Sequence, residues 1–235
     1  MPGFVLHLLH GMMIADRRET RFSEEEYAAF QMGLLMPDAN KLCRRSPDRS
    51  HFYAAGDAGL ILKTPDLSRF PYLRSTDNPF VLGYAAHLYL DRMFFGEYFL
   101  QHVHFLDEDG QQTLLSDRVR RVYLVRSQSY ITVPELFSEA YLYGDYTMLN
   151  RYFTDRYRIQ PVSPVICAHP IGEIRSEDCG AVCEALAGYL AASAGRTETK
   201  VFSADSLVQA MEQYAFGFLQ WHRGVLDALQ SQQRS

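Results

Sequence analysis

A chain of 235 residues, 47% of them apolar and 22% charged, can bury a sizeable core without disulfide staples. Its formal net charge is −5, and its densest basic clusters are only Arg44-Arg45 and Arg118-Val119-Arg120-Arg121. That balance disfavours nucleic acid as a partner, because phosphate neutralisation calls for a basic face.

The apolar stretch over 4–15 reads as a first, buried helix. It has no basic leader and no small-residue cleavage site, and nowhere does an apolar run reach about eighteen residues. The expectation is a cytoplasmic protein with neither signal peptide nor transmembrane segment. Ser23-Glu24-Glu25-Glu26 is a capping box, followed at helical spacing by Tyr27, Phe30, Leu34 and Leu35. Pro37 stops this second helix and places Asp38 just past its end. Residues 39–77 read as irregular and, at that length, as functional rather than idle.

Asp77-Asn78-Pro79 opens the next helix, expected over 79–101. It is apolar nearly all round, as suits a central, buried helix. A turn follows at 107–110, and 119–131 can hold a short strand. Thr132-Val133-Pro134-Glu135 is a second capping box, leading into helices over 133–142 and 145–156 broken at Gly144. Residues 157–175 should be extended. Two further helices are expected, over 177–193 with its stop at Gly195 and over 206–229. The whole reads as a single all-α domain over 1–235. The four cysteines show no C-x-x-C spacing and read as small buried residues.

The sharpest chemical signal is His87-Leu88-Tyr89-Leu90-Asp91. A four-residue gap on a helix puts both side chains on one face, one turn apart, which suits two ligands of one metal. An Asp buried on an apolar helix must be paired or bound to an ion, so the competing reading is a His–Asp hydrogen bond within the core. Asp38, His51 in Ser50-His51-Phe52, and His7 with His10 on the first helix add candidates from three other segments. His and carboxylate together suit zinc, with iron or manganese as alternatives. A nucleotide hydrolase with an adjacent His-Asp pair is excluded, since no such dipeptide occurs, and a serine hydrolase is disfavoured by the lack of G-x-S-x-G.

These residues stand in a recognisable order. Met1-Pro2-Gly3-Phe4 with His7, Gly33-Leu34-Leu35-Met36-Pro37-Asp38, Ser50-His51-Phe52 and Gly83-Tyr84-Ala85-Ala86-His87-Leu88-Tyr89-Leu90-Asp91 resemble the zinc-dependent phospholipase C family. That family shares its fold with the fungal single-strand nucleases, and the closer likeness is to its short cytoplasmic bacterial branch. The likeness covers the first hundred residues. It implies a multi-helix domain with a central buried helix, and one metal held by Asp38, His51, His87 and Asp91. It further implies that Asp91 bridges to a second ion near His7, and that Asp38 orients or deprotonates the attacking water. His10 can replace the amino-terminal ligand of secreted members. Where the family places a further His six residues past the motif Asp, this chain has Glu97. One ion or a close pair is therefore expected. Arg92, or Arg44 and Arg45, can hold a substrate phosphate through a planar donor fork.

The implied activity is metal-assisted hydrolysis of a phosphodiester or a phospholipid-like head group, a small phosphate-ester substrate. The alternative is a metal-binding or partner-binding protein without catalysis on the same fold. The oligomeric state is not legible.

Overall fold

The computed structural model describes residues 3–192 and 198–233. Helix α1 (Phe4–Arg17) is buried along nearly its whole length. Helix α2 (Glu24–Leu35) begins at the expected capping box, with Ser23 accepting from the Glu26 amide and the Glu26 carboxylate accepting from the Ser23 amide. It stops where Pro37 dictates, and a 3-10 turn (Met36–Asp38) carries Asp38.

The segment 39–77 is less irregular than its composition suggests. It holds the one-turn helices α3 (Ala39–Leu42) and α4 (Pro47–Ser50) and three 3-10 turns. Each is too short to show helical periodicity, which is why the sequence pattern conceals them. Arg44 and Phe52, on either side of α4, adopt left-handed backbone angles, with φ of 56° and 54°. These turns fold the segment back against the core.

Helix α5 (Pro79–Met93) is capped by Asn78, whose side chain accepts from the Phe80 and Val81 amides. Every residue from Phe80 to Asp91 is buried, as expected of a central helix. A π-helical turn (Phe94–Tyr98) carries the chain into α6 (Phe99–His102). The helical path thus covers the expected span with one widened turn inside it.

Helices α2 and α5 cross at two glycines. A Cβ at Gly33 would collide with the Phe80 carbonyl, and one at Gly83 with the Phe30 carbonyl. Only glycine lets the two backbones approach this closely. The approach brings the Leu34 carbonyl within 2.8 Å of His87 Nδ1.

The all-α expectation holds in the main and needs one correction. A small antiparallel sheet follows α6, made of β1 (Val103–Leu106), β2 (Arg121–Leu124) and β3 (Ser129–Ile131) in the order β1-β2-β3. Val103 pairs with Leu124 and Val122 with Ile131. The strand expected within 119–131 is therefore a hairpin, and β1 continues directly from a helix, where apolar residues gave no period of two.

Helix α7 (Val133–Leu136) uses the second capping box and lasts one turn. The break expected at Gly144 lies instead at 137–141, and Gly144 is buried inside α8 (Leu142–Tyr157). Helices α9 (Cys179–Ala191) and α10 (Ala204–Gln233) complete the chain. The expected stop at Gly195 falls outside the described residues. Among the described residues, no helix is long and apolar enough to cross a membrane.

Candidate metal centre

Three buried segments converge on the middle of α5. The centre comprises His7 from α1, Asp38 from the 3-10 turn after α2, His51 from the C-terminal end of α4, and His87 and Asp91 from α5. All five are buried, and only Asp38 keeps a trace of exposure, at 6%. Asp91 Oδ1 lies 3.4 Å from His7 Nε2, and its Oδ2 lies 3.4 Å from His51 Nε2 and 3.6 Å from His87 Nε2. Asp38 Oδ1 lies 3.6 Å from His51 Nε2. The His7 and His87 rings stack with centroids 3.7 Å apart.

Local structure sets each ring. His87 Nδ1–H donates to the Leu34 carbonyl, which leaves Nε2 as a bare lone pair. His51 Nδ1 lies 3.2 Å from the Pro47 carbonyl, so its Nε2 is likewise an acceptor. Tyr84, one turn before His87 on α5, donates its hydroxyl to the Ser50 carbonyl at 2.6 Å and ties the His51 segment to the central helix. Backbone carbonyls that fix the tautomer of an imidazole are the usual second layer around a metal ligand.

The consequence is electrostatic. The two acceptor nitrogens of His51 and His87 stand 3.3 Å apart, with two carboxylates beside them. Among the described residues, nothing satisfies Asp38 Oδ1, either Asp91 oxygen or either nitrogen of His7 with a hydrogen bond. Such a cluster needs positive charge in its middle. Without an ion a proton must serve. Burial is the largest influence on His87 and opposes its charging, but Asp91, Asp38 and the Leu34 carbonyl together outweigh it and raise the pKa, while Asp91 itself is held well below the usual carboxylate range against the cost of burial, first by His87. Burial, then His87, lowers His7 to about 4, and burial lowers His51. Two ligand triads meet the spacing for an ion, His7–His87–Asp91 and Asp38–His51–His87. His87 offers one lone pair, so it can serve one ion only. A pair of ions would have to divide the Asp91 oxygens, Oδ1 towards His7 and Oδ2 towards His51 and His87.

The remaining candidates lie elsewhere. His10 is buried on α1 but faces Phe218, with centroids 6.3 Å apart, and takes no part in the cluster. Glu97 sits exposed on the π turn. Arg45 is spent on an ion pair with Asp178 and a 2.9 Å hydrogen bond to Asn40 Oδ1. Arg92 is exposed and reaches the Pro65 carbonyl. Arg44 alone of the three arginines lines a cavity of about 580 Å³ that opens beside Asp38. Lys41 and Tyr146 also line it and were not singled out in the sequence. Lys41 lies one turn before Arg45 in a segment read as loop. Tyr143, Tyr146 and Asn150 recur at helical spacing on α8, a signal that can mark a lined face. His104 and Glu108 also stand four apart, but on β1 and the turn after it, where that spacing pairs nothing.

Comparison with family models, curated proteins and solved structures finds no match for this chain.

Proposed function

We propose that the protein is a metal-dependent phosphoesterase, with zinc as the ion and a small phosphate ester as substrate. One observation carries this reading: in a buried set of His and Asp side chains, atoms of His7, Asp38 and Asp91 have no hydrogen-bond partner among the described residues, and Asp38 borders a cavity of about 580 Å³ with Lys41 and Arg44 at its wall. Asp38, His51, His87 and Asp91 would hold the ion, with His7 beside Asp91 Oδ1. Imidazole and carboxylate donors together suit zinc, with iron or manganese as alternatives. A bound divalent ion supplies Lewis acidity and activates water near neutral pH.

The chain supplies the rest. Asp38 stands between the centre and the cavity, where its carboxylate can take a proton from attacking water. Lys41 and Arg44 are exposed on the cavity wall and can hold the negative charge of the ester. The order of Gly33, Asp38, His51, Gly83, His87 and Asp91, which resembles the zinc-dependent phospholipase C family, supports the same chemistry and extends it to diesters.

Purified protein should carry about one or two zinc ions and hydrolyse a nitrophenyl phosphodiester, with activity lost to chelator. Asp38→Asn keeps shape but removes the base, so turnover should fall by about a hundredfold or more. Full metal loading without turnover on phosphodiesters, phosphomonoesters or single-stranded nucleic acid would favour a metal-binding protein without catalysis.

A further inference from the structure

Tyr146 packs against the core, but its hydroxyl makes no hydrogen bond among the described residues. The residue lines the cavity that Asp38 borders, while its hydroxyl is shielded from solvent and has no hydrogen-bond partner among the described residues. A buried hydroxyl left unpaired is costly, and the loss is recovered only if something outside the chain accepts from it. The hydroxyl stays protonated: burial raises its pKa well above the ordinary tyrosine value, and Asp91 is the largest of the charges that raise it further. It is therefore a donor placed in the field of the centre. A tyrosine that served packing alone is equally well served by phenylalanine, and one that served the fold would have an acceptor.

Resting on the phosphoesterase reading, we infer that Tyr146 is the binding residue that donates its hydroxyl to an anionic oxygen of the phosphate group held between the metal centre and the cavity. The ligand chemistry this selects is a tetrahedral oxyanion with an oxygen to spare for Tyr146. A carboxylate or neutral carbonyl ligand has fewer oxygens to divide between the ion and the tyrosine. Lys41 and Arg44, on the same cavity wall, supply charge. Tyr146 supplies direction without net charge.

The probe is inorganic phosphate, titrated into cobalt-substituted protein and followed by the visible cobalt band. Wild type should respond, and Tyr146→Phe should bind phosphate about tenfold more weakly or worse, as for a lost hydrogen bond to a charged group. Cobalt content should be equal in both. In chelator, Tyr146→Phe should melt at or above the wild-type temperature, because it deletes a hydroxyl with no acceptor among the described residues. Phosphate affinity within twofold of wild type overturns the inference and leaves the phosphoesterase reading standing. A variant that melts well below wild type, or fails to fold, shows that the hydroxyl serves the fold and overturns it too. No cobalt uptake by wild type, or no response to phosphate, overturns both.

Discussion

Two aspartates in this molecule are fully buried and are neutralised in opposite ways. Asp145, in the first turn of α8, accepts the Lys200 amide at 2.8 Å through one oxygen and the Val201 and Phe202 amides at 2.7 and 3.0 Å through the other. Backbone donors fixed in place make it a latch between α8 and the segment that leads into α10. Asp91 is buried as completely, yet among the described residues no amide or hydroxyl reaches it. Its neighbours are imidazole nitrogens at 3.4 to 3.6 Å, two of them already committed as acceptors. A buried carboxylate must be compensated. The chain compensates Asp145 with backbone donors and offers Asp91 imidazole nitrogens, in a group that could hold a metal ion. Burial of an ionised group therefore does not mark a site; burial without internal donors does.

The comparison breaks first on metal. With zinc at about a thousand times its Kd, wild type should gain about 4 kcal/mol over the chelated protein, which for a chain of this size is roughly ten degrees in Tm. Asp91→Asn should lose most of that gap. Calorimetric scans with zinc and with chelator decide it, and equal melting of wild type in both would mean that the cluster holds no ion.

Asp145→Ala should act in the other direction. It strips the acceptor from three amides, two of them buried, at a cost of about 3 kcal/mol. The loss should be the same with zinc and with chelator, since the two aspartates sit on different helices and share no ligand. Urea unfolding in both media measures this. A loss that vanishes in chelator would couple Asp145 to the centre and dissolve the contrast.

The Asp91 side of the contrast was legible in the sequence, and the Asp145 side was not. His87 and Asp91 are four apart on a helix whose apolar character is unmistakable, and Pro37 marks where Asp38 must fall, so local rules suffice to propose the set. Asp145 is answered by amides more than fifty residues away, and backbone donors leave no trace in residue identity. Arg45 shows the same limit: it reads as a free cation until the fold brings Asp178 to it across more than a hundred residues. The one-turn helices of 39–77 escaped because a single turn has no period to read, and β1 because it grows out of a helix. Tyr146 carries a weaker signal, its recurrence with Tyr143 and Asn150 along α8, which becomes specific only once the cavity is seen.

The smallest expected effect concerns His10, a buried histidine outside both candidate ligand triads. It lies three residues from His7 on α1, equally buried, but it faces Phe218, and neither ring nitrogen has a well-formed partner among the described residues. Burial lowers its pKa from 6.5 to about 3, against a weaker opposing pull from the Tyr214 backbone. The unfolded chain therefore binds a proton between these values that the folded chain refuses. The stability this histidine lends is whole above pH 6.5 and drains as pH falls towards 3. Between pH 6 and 5 the loss should be about 1 kcal/mol, close to the limit of about 1.4 kcal/mol per unit for one proton. His10→Leu removes that proton and nothing from the metal centre. In chelator, its stability should fall less steeply than wild type over this interval, by about the same 1 kcal/mol, while the residual slope from His7 remains. In zinc, its metal content should equal that of wild type. Equal slopes for the two proteins would mean that His10 is protonated in the fold, and a loss of zinc would move it into the centre with His7.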